Sequence, residues 1–297
     1  MNILISGASG LIGQALMRYL PSQGHKVYPL KRNDSGSAFS WQPSKKQIYL
    51  DPNIPLDAVI NLNGVSIGDK PWSKQRKLEL ISSRTETTQL LAHTLALQPK
   101  PIKVLINASA IGFYGDTGSQ SVDETSAKGN NFLTDITTAW EQAAQPAISA
   151  NIRTVFIRSG IVLSAKGGAL KKMLLPYKFG LGGRIGSGQQ YMSWISLEDE
   201  VRAIDFILQN EKIQGPVNLT SPNPVTNSEF SQVLADCLTR PALLPLPEFV
   251  VKLLFAEMGE LLLLGSANVV PKVLLDTGFQ FNQPQLVDAL TAALKET

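Results

Sequence analysis

Met1-Asn-Ile-Leu-Ile-Ser-Gly-Ala-Ser-Gly-Leu-Ile-Gly13 opens the chain and decides its fold. Ile3, Leu4 and Ile5 form a short apolar run that enters three glycines, Gly7, Gly10 and Gly13. Residues 14–20 follow, with Ala15, Leu16, Tyr19 and Leu20 as the apolar positions of an amphipathic segment. Strand, glycine turn and helix in that order bring bare backbone N–H groups and a helix N-terminus against a dinucleotide pyrophosphate. A glycine pattern alone is weak. Here it stands between a strand and a helix, the context that gives it meaning.

Strands and helices alternate outward from this stretch. Residues 26–30 read as a second strand and the polar residues 34–47 as hairpin-like. Residues 58–62 read as a buried parallel strand. Residues 72–97 are mostly helical, with Leu78, Ile81, Thr88, Leu91 and Leu95 on one stripe. Residues 103–108 form a strand ending at Ser109. A helix over 132–147 turns Ile136 and Trp140 inward, and 154–159 is a further strand. This alternation predicts an α/β fold with a doubly wound parallel sheet. The pattern then changes. Residues 179–189 are glycine-rich, either a loop that wraps a ligand or a mobile surface loop. A helix over 197–208 and a short strand over 217–219 return to the sheet. Thr226-Asn-Ser-Glu229 is a capping box opening the helix that carries Cys237. The expected division is a nucleotide-binding domain over 1–165, rejoined by 194–222, and a small C-terminal substrate lobe over 223–297 that includes the loop 166–193.

Composition narrows the class. With 297 residues the chain can bury one large core with a satellite. Its 43% hydrophobic content is that of an ordinary globular protein. A net charge of +3 with scattered basic residues argues against a nucleic-acid surface. Cys237 is the sole cysteine, which rules out an intrachain disulfide and fits a reducing cytoplasm. Phe230, Val233, Leu234 and Leu238 share its helical spacing and place it in the core. No basic segment precedes the first apolar run, so no signal peptide is expected. Residues 243–264 are apolar but are interrupted by Pro245, Pro247, Glu248, Lys252, Glu257 and Glu260. They fall short of the roughly 20 clean residues of a membrane span. The expectation is a cytoplasmic protein with no membrane and no nucleic-acid partner. His25 and His93 read as structural or solvated, and no His/Cys/Asp cluster has metal-ligand spacing.

The end of the second strand bears on the choice of dinucleotide. NAD-selective sites place an acidic residue about 20 residues past the glycines, on the ribose hydroxyls. Here Leu30 is followed by Lys31 and Arg32, two cations suited to a 2′-phosphate. The reading is NADP. Asp34 lies close by, and a solvated strand end is the other account of these residues.

The glycine spacing, Asn61-Leu-Asn-Gly64 after a buried strand, Ser109 followed by Phe113-Tyr-Gly115, and Ser193-Trp-Ile-Ser-Leu-Glu-Asp199 resemble an extended short-chain dehydrogenase/reductase. Ser83-Arg84, Arg158-Ser-Gly-Ile-Val-Leu163, residues 179–188, Pro271-Lys272 and Thr277-Gly-Phe-Gln-Phe281 resemble, more narrowly, the epimerase family of atypical short-chain dehydrogenases. The resemblance covers essentially the whole chain. It implies a Rossmann fold with a small C-terminal lobe and NADP(H) at the C-terminal edge of the sheet. It places Gly7, Ser9, Gly10, Leu11 and Ile12, with Gly13, around the pyrophosphate and Lys31 and Arg32 on the 2′-phosphate. Leu62 and Asn63 fall under the adenine-side ribose, Arg84 with Glu79 reaches in from the long helix, and Val162 lines the nicotinamide end. A surface pair without a role is the other account of Arg84 and Glu79.

Short-chain dehydrogenases pair a Tyr with a Lys four residues later, which lowers the phenol pKa for proton exchange. The six tyrosines here, Tyr19, Tyr28, Tyr49, Tyr114, Tyr177 and Tyr191, are followed at that distance by Gln23, Arg32, Asn53, Gly118, Leu181 and Ile195. Alignment on Trp140-Glu141 puts Leu133 and Thr137 at the Tyr and Lys positions. Ser109, at the position that polarises a carbonyl, and Tyr114, as an acid or as a packing residue, remain the catalytic candidates. Arg158, Arg184 and Lys166 are candidates for an anionic substrate, and Trp194 and Tyr191 either stack on a ring or pack in the core. The reading is a cytoplasmic NADP-dependent oxidoreductase or epimerase for a small-molecule or sugar-nucleotide substrate. Its rival is a catalytically silent NADP(H)-binding sensor or interaction protein.

Overall fold

The computed structural model describes residues 1–34 and 36–295. Ser35, in the expected polar hairpin, and Glu296 and Thr297, at the end of the expected lobe, lie outside the described residues. The apolar run after Met1 is strand β1 (Asn2–Ser6), and with β2 (Lys26–Pro29), β3 (Ala58–Asn61), β4 (Val104–Ala110), β5 (Arg153–Ser159) and β6 (Gly215–Leu219) it forms one sheet. The order across it is β2-β1-β3-β4-β5-β6, and every neighbouring pair is parallel. This is the doubly wound sheet expected from the alternation. The order reverses beside β1, where sheets of this kind open a crevice for ligands.

The longer helices are α1 (Leu11–Ser22), α2 (Lys74–Ala96), α3 (Phe132–Gln142), α4 (Gly168–Lys178), α5 (Leu197–Gln209), α6 (Asn227–Cys237), α7 (Glu248–Gly259) and α8 (Leu286–Lys295). Alternate residues of a strand point to opposite faces of the sheet. Ile3, Ile5, Ile60, Ile106 and Ile157 pack under α1 and α5 on one face. Leu4, Val59, Leu105 and Phe156 pack with Leu91 and Leu95 of α2 on the other. The inward stripe of α2 runs through Arg76, Leu80, Arg84, Thr88, Leu91 and Leu95, while Leu78 is exposed and Ile81 half-buried. The expected stripe is therefore wrong over its first turns. Two buried arginines occupy the inward positions there and hide them from a hydrophobic pattern.

The helix expected over 132–147 ends at Gln142, and a short helix restarts at Gln145–Ser149 with a proline in its first turn. Pro146 supplies no N–H and restrains the residue before it, which suits a helix start and not an interior. Phe39–Gln42 and Gln47–Leu50 form the antiparallel hairpin of the polar stretch, and Lys31–Arg32 runs parallel to its first strand.

Leu170 and Leu174 of α4, Phe230 and Leu234 of α6, and Leu286 and Leu290 of α8 surround Trp194 in a second core. Trp194 is fully buried and its Nε1 donates to the Asn223 carbonyl at 3.1 Å, so it packs and does not stack on a ligand. Cys237 is half-buried on the rim of this core. Leu274 and Phe279, late in the chain, pack under α5 instead. The glycine-rich loop is anchored: Gly186 N donates to the Leu246 carbonyl at 2.9 Å, Leu246 N to the Arg184 carbonyl at 2.9 Å, and Ile185 N to Asn227 Oδ1 at 2.7 Å. Among the described residues no helix is long and apolar enough to cross a membrane.

Glu200 of α5 is fully buried. Its Oε1 accepts from Ser159 Oγ at 2.7 Å, and its Oε2 has no partner. Burial pushes this carboxyl up to about 8 from an ordinary 4.5. The native protein therefore keeps a proton that the unfolded chain releases, so stability falls as pH rises between those values and levels off above them. The slope is at most about 1.4 kcal/mol per pH unit for one proton. Urea unfolding of Glu200→Gln at pH 5.5, 7 and 8.5 should show a flatter dependence than the wild type and higher stability at pH 8.5. Equal slopes would refute the assignment.

Candidate active site

The site begins where β1 ends. Gly7 has φ +72°, and a Cβ on it would stand 2.7 Å from the Leu62 carbonyl oxygen. A Cβ on Gly13 would stand 2.3 Å from the Gly7 carbonyl oxygen. Only glycine lets the turn pass the end of β3 and lets α1 close on the turn. Gly10 N donates to Gly7 O at 3.0 Å, and Gly10 begins α1 without a side-chain cap. The amides of Leu11, Ile12 and Gly13 thus occupy the positive end of the helix dipole beside exposed Ser9. That arrangement is a cradle for an anion.

The strand tips on the α2 face turn polar together. Ser6 Oγ donates to Asn61 Oδ1 at 2.7 Å, and Asn61 Nδ2 donates to Asn107 Oδ1 at 2.6 Å and Thr88 Oγ1 at 2.8 Å. Asn63 Nδ2 donates back to Asn61 Oδ1 at 2.8 Å, and Trp140 Nε1 donates to Thr88 Oγ1 at 3.0 Å. This buried network fixes Leu62 and Asn63 beside the turn.

Arg84 is 8% exposed, donates to the Leu80 and Val65 carbonyls at 2.9 and 3.0 Å, and lies 4.9 Å over the Trp140 ring. Burial, and then neighbouring Arg76, lower its pKa to about 10, so it remains a cation at neutral pH. None of these bonds is to a carboxylate. A buried cation without a counter-charge is costly, and an anionic ligand relieves that cost. Glu79 is exposed and pairs with Arg76 at 2.6 Å. Five helical residues separate Glu79 from Arg84, about 140° around the axis, so the two act apart.

Lys31 and Arg32 are exposed just past β2. Lys31 lies 3.2 Å from Asp34, and Arg32 lies 5.9 Å over the Trp41 ring. Val162 is half-buried in the short strand Ile161–Leu163, which follows β5 and pairs with Trp194–Ser196.

Ser109, Arg158 and Asn218 stand side by side on β4, β5 and β6. Ser109 Oγ donates to Glu141 Oε1 at 2.7 Å. Arg158 grips both Glu141 oxygens at 2.9 Å, stacks 3.4 Å over the Phe113 ring, and donates to the Tyr114 hydroxyl at 3.1 Å. Tyr114 in turn donates to Asn218 Oδ1 at 2.7 Å. Burial pushes its phenol above the ordinary value, with Arg158 opposing. Its proton is committed inside the protein, which fits the packing reading and not that of a free acid. Arg158, a candidate for substrate anions, is spent on Glu141. Arg184 is exposed instead, lining a cavity of about 360 Å³ with Ser228 and Gln232.

Sequence reasoning missed Glu141, although it lies four residues past Thr137 and eight past Leu133, on the same stripe of α3. It also missed Glu124. One oxygen of Glu124 accepts from the amides of Asn218 at 2.9 Å and Val273 at 3.3 Å, and the other is buried without a partner. Burial raises this carboxyl as well.

The NAD dependent epimerase/dehydratase family matches residues 3–219, and Domain of unknown function (DUF1731) matches residues 246–293. Epimerase family protein ML0860 of Mycobacterium leprae (strain TN) is 40% identical over 293 residues, covering 98% of this chain and 95% of that one. Epimerase family protein SDR39U1 of Homo sapiens is 36% identical over 300 residues, covering 100% and 99%. The crystal structure of human SDR39U1 (isoform2) with NADPH superposes with a TM-score of 0.91 at 33% identity, over 100% of both chains. A UDP-glucose 4-epimerase of Thermus thermophilus in complex with NAD superposes with a TM-score of 0.75 at 15% identity, over 99% of both, a likeness of fold. The chain belongs to the NAD dependent epimerase/dehydratase family, with the extended short-chain dehydrogenase fold.

Arg158 and Glu141 have side chains only 4% and 13% exposed. Removing one partner strands a buried charge, whereas removing both does not. Arg158→Met should cost about 3–5 kcal/mol in urea unfolding, and the double variant Arg158→Met/Glu141→Leu should recover much of that loss. Additive losses would show that the pair does not act as a unit.

Proposed function

We propose that the protein is a cytoplasmic NADP(H)-dependent oxidoreductase or epimerase acting on a small or nucleotide-linked substrate. The observation that carries this reading is the glycine cradle, whose Gly7 and Gly13 positions have no space for a side chain. Membership of the family and the NADPH in the human relative's structure support it. Residues 1–165 with 194–222 are assigned to the nucleotide, and 223–297 with 166–193 to the substrate.

Gly7, Ser9, Gly10, Leu11, Ile12 and Gly13 would hold the pyrophosphate. Lys31 and Arg32 would hold the 2′-phosphate, and Leu62 and Asn63 the ribose. Arg84 and Glu79 are assigned to the same site from α2 as separate groups, and Val162 to the nicotinamide end. Bound NADP(H) supplies the two-electron redox chemistry. Ser109 donates its hydroxyl hydrogen bond to Glu141, so its free lone pairs accept a hydrogen bond from a substrate hydroxyl. Arg158 holds the Glu141 carboxyl in place with two hydrogen bonds, and Tyr114 positions Arg158. Leu133 and Thr137 cannot titrate, which favours the second reading, a silent NADP(H) sensor.

Two measurements separate these readings. NADPH should bind the purified protein, and carbonyl and sugar-nucleotide substrates are then screened by absorbance of the reduced nicotinamide. Turnover that falls in Ser109→Ala supports the enzyme, and binding without turnover across the panel supports the sensor. For the cofactor, Lys31→Ala/Arg32→Ala should weaken NADPH by about tenfold or more relative to NADH, the scale of a lost charge-assisted hydrogen bond. Equal losses for both nucleotides would defeat the 2′-phosphate assignment.

A further inference from the structure

Loop 62–73 leaves β3, and its first residue, Leu62, closes on the glycine turn at Gly7. Helix α4 joins this loop to Leu11 of α1. Its start lies against Leu11, where a Cβ on Gly167 would meet a Leu11 methyl at 3.5 Å. One turn on, Lys172 Nζ donates to the Gly68 carbonyl at 2.8 Å and meets Asp69 Oδ1 at 2.7 Å. This ammonium holds Asp69 below the usual carboxylate range. A second clasp closes the far end of the loop, where Lys77, in the first turn of α2, pairs with Glu257 of α7. Ala256, just before Glu257, has φ +47° and ψ −138°, a kink that an alanine rarely adopts and that redirects the helix there.

The geometry points to a latch: the Lys172–Asp69 and Lys77–Glu257 pairs hold loop 62–73 and the C-terminal lobe closed over the dinucleotide cleft and must open for cofactor to pass. This rests on the NADP(H) reading of the cleft. Lys172 and Asp69 are 56% and 54% exposed, and Lys77 and Glu257 are 29% and 44% exposed. Pairs so exposed are weak, which suits a contact that opens and recloses and would be a poor device for holding the fold. Neither pair belongs to the apolar clusters of the two cores, so opening one frees the loop without unfolding either core.

Stopped-flow NADPH fluorescence tests it on Lys172→Met, Asp69→Asn and the exchanged pair Lys172→Asp/Asp69→Lys. Removing a cation alone slows arrival of an anionic cofactor, and removing an anion speeds it. A latch makes both single variants faster. Association and dissociation rates should rise together, by about threefold to tenfold, with Kd changing less, and the exchanged pair should return towards the wild type. Faster dissociation with an unchanged association rate identifies Lys172 as a cofactor contact and overturns the latch, as do unchanged rates. If the wild type binds no NADPH, the cofactor reading fails. Amide exchange over residues 64–70 then judges the clasp alone: faster exchange in Lys172→Met supports it, and unchanged exchange overturns it.

Discussion

A carbonyl oxygen and a missing methyl set the geometry of this protein. The Gly7 oxygen lies where a Cβ on Gly13 would come within 2.3 Å, so α1 rests directly on the turn that leaves β1. Because β1 lies between β2 and β3, that contact puts a helix N-terminus at the point where the strand order reverses. Leu62 closes from β3 with equal intimacy, 2.7 Å from a Cβ on Gly7. Any side chain at either glycine would separate layers that the rest of the site assumes are touching.

Around this contact one face of the sheet changes character. Apolar Leu4, Val59 and Leu105 give way two residues later to Ser6, Asn61 and Asn107, and Ser109 and Arg158 continue the polar edge across β4 and β5. Each polar group finds a partner inside the protein. Arg84 is the exception in charge, since its bonds to carbonyls leave it without an anion. Glu141 reaches this edge from α3, four residues past Thr137. Gripped by Arg158, its carboxylate accepts a hydrogen bond from the Ser109 hydroxyl there.

The strand, glycines and first helix were legible because their constraint is local: three glycines at fixed spacing admit few backbones. The parallel sheet was legible because buried strands announce themselves as apolar runs. The stripe of α2 was not, because Arg76 and Arg84 face inward where a hydrophobic pattern expects leucine. The meeting of Ser109 with Glu141 and Arg158 was also hidden. It depends on strand register and on residues 32 and 49 positions away along the chain, and no pattern in the sequence reports the direction of a hydrogen bond. Tyr114 shows the same limit. Its place after Ser109 was visible, but its burial against Asn218 was not.

Glu124 has a consequence outside the cleft. Strand β6 is the margin of the sheet, and a bare margin offers its amides to any extended segment of another molecule. Here the Glu124 carboxylate occupies the Asn218 amide, and the Asn218 side chain donates to the Val270 carbonyl at 3.0 Å. A foreign strand would have to displace a buried acid and leave it unsolvated. Asn218, which accepts from the Tyr114 hydroxyl, thus also has its outward amide covered, so one set of bonds both caps the margin of the sheet and fixes the phenol.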